Sequence, residues 1–173
     1  TDEDATNLGS GIPTAWMGLQ NTFRFKEFQL DFLLRGAMGH LLIHENQMFY
    51  GSATGFYNTI KTDKFNALRN NTAFTNYYVE SGDFLRMENI RFSYHLPLAG
   101  TNVKVSLYAG AQNLFTISSY LGSDPEVRLA DTGVSDNGSV PVSGNLYQMS
   151  TGIDRRNGYW LERMFYLGGS FAF

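Results

Sequence analysis

The chain has 173 residues, of which 43% are hydrophobic, 17% charged and 15% aromatic, and it contains 18 Gly and no Cys. This length suits a single domain, and the charged share lies well below the roughly 25% of an average soluble domain. Without Cys the chain has neither a disulfide framework nor a thiolate metal site, and a net charge of -3 gives no reason to expect a nucleic-acid partner. No stretch approaches the ~20 apolar residues of a membrane helix, whereas low charge and many aromatics suit membrane-spanning strands.

Period-two alternation of apolar and polar side chains, bounded by turn residues, predicts five β-strands. In the last of them Phe165, Leu167 and Phe171 fall on one side, whereas a helix would scatter them around its axis. At ~3.3 Å per residue and a tilt of ~40°, about ten residues span the roughly 25 Å apolar band of a membrane barrel. We expect the strands at about residues 14–25, 28–42, 82–96, 101–118 and 163–173.

The connections between these strands alternate strictly in length. Residues 26–27 and 97–100 are short turns, whereas residues 43–81 and 119–162 are long, polar connections rich in Gly and Asn. An up-and-down meander places both long connections at one end of the strands. This asymmetry is typical of an outer-membrane barrel with short periplasmic turns and long extracellular loops.

The charged residues of the strands have the parity opposite to that of the apolar residues, which predicts that they face a wet lumen. Arg86 and Glu88 break the pattern because they have the parity of Ile90 and Phe92, and we expect them at the outer end of their strand, beyond the bilayer. The residues assigned to the lumen are Arg24, Asp31, Arg35, Arg91, His95 and Lys104.

Five strands cannot close a membrane barrel, since bacterial single-chain barrels have at least 8. An open sheet in lipid would leave the backbone groups of both edges without partners, at a cost of several kcal/mol for each group. We therefore expect further strands from polypeptide preceding Thr1 or from other chains, and interpret residues 1–173 as the C-terminal portion of a larger barrel.

Three segments carry motifs in a fixed order: YYVESGDFLRMENIRFSYHLP at residues 77–97, VSLYAGAQNLFTISSYLGSDPEV at 105–127 and ERMFYLGGSFAF at 162–173. They resemble the C-terminal region of SusC/RagA-type TonB-dependent transporters of Bacteroidetes, and the upstream strand pair within residues 11–44 is similar to that of the same family. The departures are small, with Met87 in place of the usual Leu and Ser123 where an aromatic residue is common.

This resemblance implies an all-β protein, of which the chain holds about the last five strands of a 22-stranded, plugged transmembrane barrel. It also implies an outer-membrane importer of oligosaccharides or oligopeptides that works with a SusD-like lipoprotein lid and is driven by TonB. The plug and the TonB box are not within these 173 residues. The sequence contains no Gly-x-Ser-x-Gly elbow, no HExxH motif and no phosphate-binding loop, so we expect no catalytic residues, no metal and no cofactor here.

Candidate contacts with the substrate or lid come from the two long connections, where aromatic faces can stack on sugars or pack on peptide side chains. Most aromatic residues there, Tyr77 and Tyr78 included, are better explained as loop packing or as a girdle at the outer leaflet. The acidic residues of the second connection match no EF-hand spacing, so we assign them to solvated loop or to lid contacts. The residues selected as contacts are Tyr50, Tyr57, Arg155, Tyr159 and Trp160.

Two further features of the sequence concern metal binding and assembly. His40 and His44 would suit zinc on a helix, but on a strand they lie about 13 Å apart, which argues against a shared ion. Phe171 and Phe173 resemble the terminal aromatic signal that the barrel-assembly machinery reads.

Alternative functions remain open at this point. A siderophore or cobalamin receptor of the same superfamily is the nearest, and a soluble β-sandwich binding module also alternates apolar and polar residues. An enzymatic barrel would need a nucleophile and a base, but Ser93 and His95 share only a face and no catalytic motif. The sequence does not choose between glycan and peptide as substrate.

Overall fold

The computed structural model describes residues 6–51, 75–98, 100, 103–127, 152–154 and 161–173. The chain divides into two compact units, here called the sheet unit (residues 15–38, 84–118 and 161–173) and the loop unit (residues 1–14, 39–83 and 119–160). The elements in chain order are β1 (Ala15–Phe25), β2 (Phe28–Met38), β3 (Leu41–His44), α1 (Glu45–Tyr50), a 3-10 turn (Asn76–Tyr78), β4 (Val79–Ser81), β5 (Phe84–Leu96), β6 (Lys104–Ser118), β7 (Ile153–Asp154) and β8 (Met164–Ala172).

The sheet unit is one antiparallel sheet of five strands in the order β1-β2-β5-β6-β8. Its strands are long because short turns let neighbours pair over their whole length, from Phe25 opposite Phe28 to Ala15 opposite Met38 in the first hairpin. Because residues directly opposite each other in an antiparallel pair lie on the same face, this register puts the apolar residues of all strands on one face and the polar residues on the other. The predicted antiparallel sheet is confirmed.

The two faces of the sheet differ in chemistry. On the apolar face, Phe23 pairs with Leu30 and Leu30 with Phe92, and the exposed fractions reach 69% for Phe165 and 85% for Leu167. The polar face carries the alternate residues of each strand, such as Asp31 opposite Arg91. Large exposed apolar surfaces of this kind are uncommon on soluble monomers and mark sites of contact with a membrane or with other protein.

A register shift in β5 puts Arg86 and Glu88 on the polar face, although their parity in the sequence is that of Ile90 and Phe92; their position relative to the bilayer stays a prediction. The pairing with β2 slips between Leu33 and Leu34, so that Arg86 lies opposite Arg35 and on the polar face. Glu88 forms an ion pair with Arg35 and therefore lies on that face as well. A bulge, which places two successive residues on one side of a strand, explains the broken parity.

Residues 28–42, predicted as one strand, form two strands in different units. Strand β2 ends at Met38, and Gly39 follows with a φ of 78°, a left-handed conformation that favours glycine. A Cβ at Gly39 would also overlap the hydroxyl of Thr14, which is a second reason why only glycine fits at this position. The chain then continues as β3 within the loop unit.

The loop unit is organised around β3, which pairs with β4 in the antiparallel and with β7 in the parallel direction. The N–H of Leu41 donates to the carbonyl of Ser10 at 2.8 Å, which adds the N-terminal segment to the same strand. Leu42, Met48 and Tyr78 are fully buried and form the apolar core of this unit. Tyr78 is thus a core residue and not part of a girdle.

Across the described part of the chain, no helix has the length and apolar character needed to cross a membrane.

Candidate functional site

The polar face of the sheet unit brings together the charged residues that the sequence assigned to a lumen. The strand pairings put these residues on one side of one sheet, along β1, β2, β5 and β6. Arg86 and Glu88 lie on the same side. The predicted members of this set are Arg24, Asp31, Arg35, Arg91, His95 and Lys104.

A hydrogen-bond network occupies the part of the polar face that lies near the first short turn. The hydroxyl of Thr22 donates to Oδ1 of Asp31 at 2.7 Å, and Nε2 of Gln29 donates to Oδ2 at 2.8 Å. Arg24 donates from Nε to Oε1 of Gln29 at 3.0 Å. The carboxylate of Asp31 is therefore held by neutral donors of the neighbouring residues.

Toward the opposite end of the strands, two arginines lie directly opposite each other on the polar face. Arg35 pairs with Glu88, whereas Nε of Arg86 donates to Oγ1 of Thr116 at 3.1 Å. The guanidinium of Arg86 also stacks on the ring of Phe84, 5.2 Å from its centroid. Arg86 is almost fully buried by these contacts.

Arg91 lies directly opposite Asp31 and rests on an aromatic side chain. Its guanidinium carbon is 4.0 Å from the ring centroid of Tyr108, which in turn meets Tyr166 edge-on at 6.3 Å. Two glycines make room for these rings, because a Cβ at Gly110 would overlap Tyr166 and one at Gly168 would overlap Tyr108. The small residues thus allow two tyrosines and an arginine to lie flat against the sheet.

The loop unit contains a second polar assembly, here called the buried cluster: His44, Glu80, Tyr120 and Asp154, each less than 9% exposed. The hydroxyl of Tyr120 donates to Oδ2 of Asp154 at 2.5 Å, and its ring lies 5.3 Å from that of His44. Nδ1 of His44 is 3.7 Å from Oε1 of Glu80. Buried polar groups need such partners, since leaving one unpaired is costly.

Burial sets the proton affinities within the cluster. It raises the pKa of Asp154, although the Tyr120 hydrogen bond and the charge of His44 act in the opposite direction. Burial, with the bond to Asp154 second, also raises the pKa of Tyr120 above its ordinary range. Tyr120 therefore keeps its proton at any physiological pH and acts as a hydrogen-bond donor.

His40 and His44 face different carboxylates. Nδ1 of His40 lies 3.9 Å from Oδ1 of Asp83, and its Nε2 lies 3.5 Å from the carbonyl oxygen of Pro125. Among the described residues, no group of three or more His, Asp and Glu side chains is arranged to hold a metal ion. The acidic Asp124 accepts the N–H of Glu126 at 2.8 Å, which is a turn-forming bond.

Of the predicted substrate or lid contacts, Tyr50 ends α1 and is half-buried. Tyr57, Arg155, Tyr159 and Trp160 lie outside the described residues. Phe171 lies on the apolar face with 68% of its surface exposed, and Phe173 follows β8 and is fully exposed. The buried cluster was not predicted, because its members come from distant segments and share no local spacing.

No protein-family model matches the chain. Among curated proteins, the TonB-dependent receptor P3 of Formosa agariphila is 28% identical over 137 residues, which cover 71% of this chain and 14% of that receptor. The TonB-dependent receptor SusC of Bacteroides thetaiotaomicron is 28% identical over 132 residues, which cover 65% of this chain and 13% of that protein. The chain therefore spans only a small part of the length of these curated relatives.

Two solved structures of RagAB share the fold. The RagAB peptide transporter matches with a TM-score of 0.53 and 26% identity over 62% of this chain and 14% of that chain. The RagAB peptide importer in its closed-closed state gives a TM-score of 0.61 over 94% of this chain and 17% of that chain; at 21% identity this likeness concerns the fold alone. Together they confirm the predicted fold class, a segment of a transmembrane antiparallel β-barrel.

Proposed function

We propose that this chain, which is similar to SusC, to the TonB-dependent receptor P3 and to RagAB, forms part of the wall of an active TonB-dependent importer in the bacterial outer membrane. The cargo is an oligopeptide or an oligosaccharide. The observation that carries the proposal is the two-faced sheet, in which one face is apolar and exposed while the other is polar and charged.

The energetics of a bilayer decide which face meets lipid. An arginine or lysine at the bilayer midplane of a barrel wall costs about 2–4 kcal/mol. The polar face carries several such residues, including Arg35 and Arg91, whereas exposed Phe165 and Leu167 gain from contact with acyl chains. In this proposal the apolar face contacts lipid and the polar face lines the interior through which the cargo passes.

The edges of the sheet support a larger assembly. Within the described residues, β1 and β8 each pair on one side only. In a bilayer every backbone N–H and C=O group needs a partner, so an open edge is not tolerated. We propose that the remaining strands of a longer polypeptide pair with β1 and β8, and that its plug fills the barrel.

The proposed partners follow from the same family. A SusD-like surface lipoprotein covers the long connections, TonB acts through the part of the polypeptide outside these residues, and the barrel-assembly machinery recognises Phe171 and Phe173. Tyr50, Tyr57, Arg155, Tyr159 and Trp160 remain our candidates for contacts with the lid or cargo. RagAB is described as a peptide transporter, and this likeness supports the peptide as cargo.

Energy-dependent depletion of oligomers from the medium tests the proposal. Cells that produce the complete protein are supplied with a protein digest and a mixture of oligosaccharides, and the medium is followed by mass spectrometry. We expect a defined subset of oligomers to disappear, and to persist in strains that lack either the transporter or TonB. Equal depletion with and without TonB would contradict the proposal, and the class of the depleted oligomers would identify the cargo.

A further inference from the structure

The polar face has an excess of positive charge. Its strand residues include five cations and two carboxylates, although the chain as a whole has a net charge of -3. Charge is therefore segregated, and the interior wall attracts anions. The cations are Arg24, Arg35, Arg86, Arg91 and Lys104, and the carboxylates are Asp31 and Glu88.

Both carboxylates of this face are already engaged by other residues. Glu88 forms its ion pair with Arg35. Asp31 lies directly opposite Arg91 in the register, but its oxygens accept hydrogen bonds from Thr22 and Gln29. Asp31 therefore balances the charge of Arg91 only at a distance.

Arg91 has no ion-pair partner among the described residues. No carboxylate among the described residues lies within ion-pair distance of Arg91. Its Nε is buried and has no hydrogen-bond partner, so a ligand would have to meet the terminal nitrogens of the guanidinium. The side chain as a whole is half-buried, so part of it still faces the interior. A guanidinium without an ion-pair partner gains more from an incoming anion than one that is already paired, because no existing ion pair has to be broken.

The ring of Tyr108 fixes the position of this guanidinium. A cation 4.0 Å above a ring centroid is attracted to the negative face of the ring, and one side of the guanidinium plane is thereby shielded from water. Gly168 makes this arrangement possible because any side chain there would displace the Tyr108 ring. The planar fork is thus held in place before a ligand arrives, which reduces the entropy lost on binding.

We propose that Arg91, seated on Tyr108, binds a carboxylate of the imported oligomer as it passes along the polar face. This inference rests on the proposed import function, since peptides and glycans carry their negative charge chiefly as carboxylates. The carboxylate belongs to a peptide C-terminus or to a uronic acid residue of a glycan. Arg91 contributes paired N–H donors and a full charge, and Tyr108 positions it.

Binding of matched charged and neutral oligomers to the complete, detergent-purified transporter tests the proposal. The probes are a decapeptide with a free C-terminal carboxylate beside its C-terminal amide, and an oligogalacturonate beside its methyl ester. We expect one of the two carboxylate probes to bind about tenfold more tightly than its neutral counterpart, in the range of a hydrogen-bonded charge pair. The pair that shows this preference identifies the source of the carboxylate.

Substitutions of Arg91 then assign the preference to this residue. Arg91→Gln removes it, whereas Arg91→Lys keeps a part, because an ammonium retains the charge but loses the planar fork. Lys26→Gln, in the short turn after β1, removes an equal charge away from the polar face and leaves the preference intact.

Three results would overturn the proposal. Equal binding of charged and neutral probes to the wild-type protein would exclude a carboxylate site while leaving TonB-dependent import unaffected. A preference that persists in Arg91→Gln would place the site elsewhere. A fall in thermal stability of Arg91→Gln with unchanged ligand preference would show that Arg91 serves a carboxylate of the polypeptide itself. Failure of the import function is recognised separately, because no oligomer of either kind would then be depleted by cells.

Discussion

The backbone N–H of Leu121 donates a 2.9 Å hydrogen bond to Oε2 of Glu80, and this bond joins the two long connections of the chain. Glu80 belongs to β4 in the first connection, and Leu121 follows β6 in the second. The N–H of Ile43 donates to the carbonyl of Gly152 at 2.7 Å and links the same two connections a second time. The described parts of the two connections are thus joined to each other by two hydrogen bonds.

Removing the acceptor at Glu80 should loosen this unit. Glu80→Ala leaves the Leu121 N–H without its carboxylate acceptor, a loss of about 1.5–3 kcal/mol, so that local opening becomes roughly ten- to a hundredfold more frequent. Hydrogen exchange followed by mass spectrometry on peptides covering residues 118–124 measures this change. Glu80→Gln keeps an acceptor oxygen at the same place and should exchange more slowly than Glu80→Ala. Equal rates in wild type and Glu80→Ala would contradict a role for this bond.

Asp154 should make the stability of the loop unit depend on pH. Burial raises the pKa of Asp154, and a carboxyl whose pKa rises on folding stabilises the fold below its unfolded pKa and loses that contribution as the pH rises through its folded pKa. Exchange protection around residues 152–154, corrected for the intrinsic rate, should therefore fall as the pH increases above the ordinary range of an aspartate. His44 and Asp124 face the same carboxyl and shift this transition in opposite directions.

The variant Asp154→Asn separates this effect from others. An amide oxygen still accepts the hydrogen bond of Tyr120 but carries no charge, so the pH dependence should flatten and protection at neutral pH should be retained or increased. Asp83→Asn is the control, because it removes a charge elsewhere in the loop unit, where the side chain accepts the Gly39 N–H at 2.7 Å. This variant should keep the pH profile of the wild type. A profile of Asp154→Asn that matches wild type would assign the titration to another group.

The glycines beneath the tyrosines should be intolerant of any side chain. Gly110→Ala places a Cβ against the ring of Tyr166 and 2.7 Å from the carbonyl oxygen of Ile90, and overpacking of this kind costs about 1–3 kcal/mol. We expect less folded, heat-modifiable barrel in the outer membrane. Gly18→Ala is the matched control, because a Cβ at Gly18 meets nothing within 4 Å. Equal amounts of folded protein from both variants would show that the ring packing is not required.

The antiparallel architecture was predictable from the sequence because side chains on a strand alternate strictly between two faces. Pairs such as Leu30 and Phe92 reveal this alternation without any knowledge of their partners. In the sequence the bulge at Glu88 appears only as charged residues at apolar positions of the alternation. A bulge that moves these residues to the polar face and a strand that has left the bilayer both produce this pattern. The register with β2 shows the reversal of facing, because it puts Arg86 opposite Arg35.

The buried cluster was not predictable for a different reason. Glu80, Tyr120 and Asp154 lie 40, 34 or 74 positions apart, so no local periodicity relates them. Long connections rich in Gly and Asn suggest solvated loop, and a buried polar network leaves no hydrophobic pattern in the sequence. The only local hint in the sequence concerned the end of β2, because Gly39 interrupts an otherwise apolar strand and such a glycine often marks a bend.

Phe173 provides a prediction about assembly. If the barrel-assembly machinery recognises the aromatic residues at the end of β8, Phe173→Ala should reduce the heat-modifiable barrel in the outer membrane several-fold. Phe165→Ala is the control, because Phe165 is equally aromatic and 69% exposed on the same sheet but lies at the other end of β8. An equal loss in both variants would indicate a general need for aromatic residues on the apolar face.

The most direct test of the account is to ask which face of the sheet meets lipid. Ser106 and Leu107 are neighbours in β6 that face opposite sides, and the described chain offers no competing cysteine. In the complete protein, freed of other cysteines and placed in lipid, nitroxide labels at Ser106→Cys and Leu107→Cys are probed with oxygen and with a water-soluble nickel complex. We predict that the label at 107 is relaxed by oxygen and the label at 106 by nickel. Equal exposure of both labels to nickel would contradict a membrane wall and with it the proposed importer.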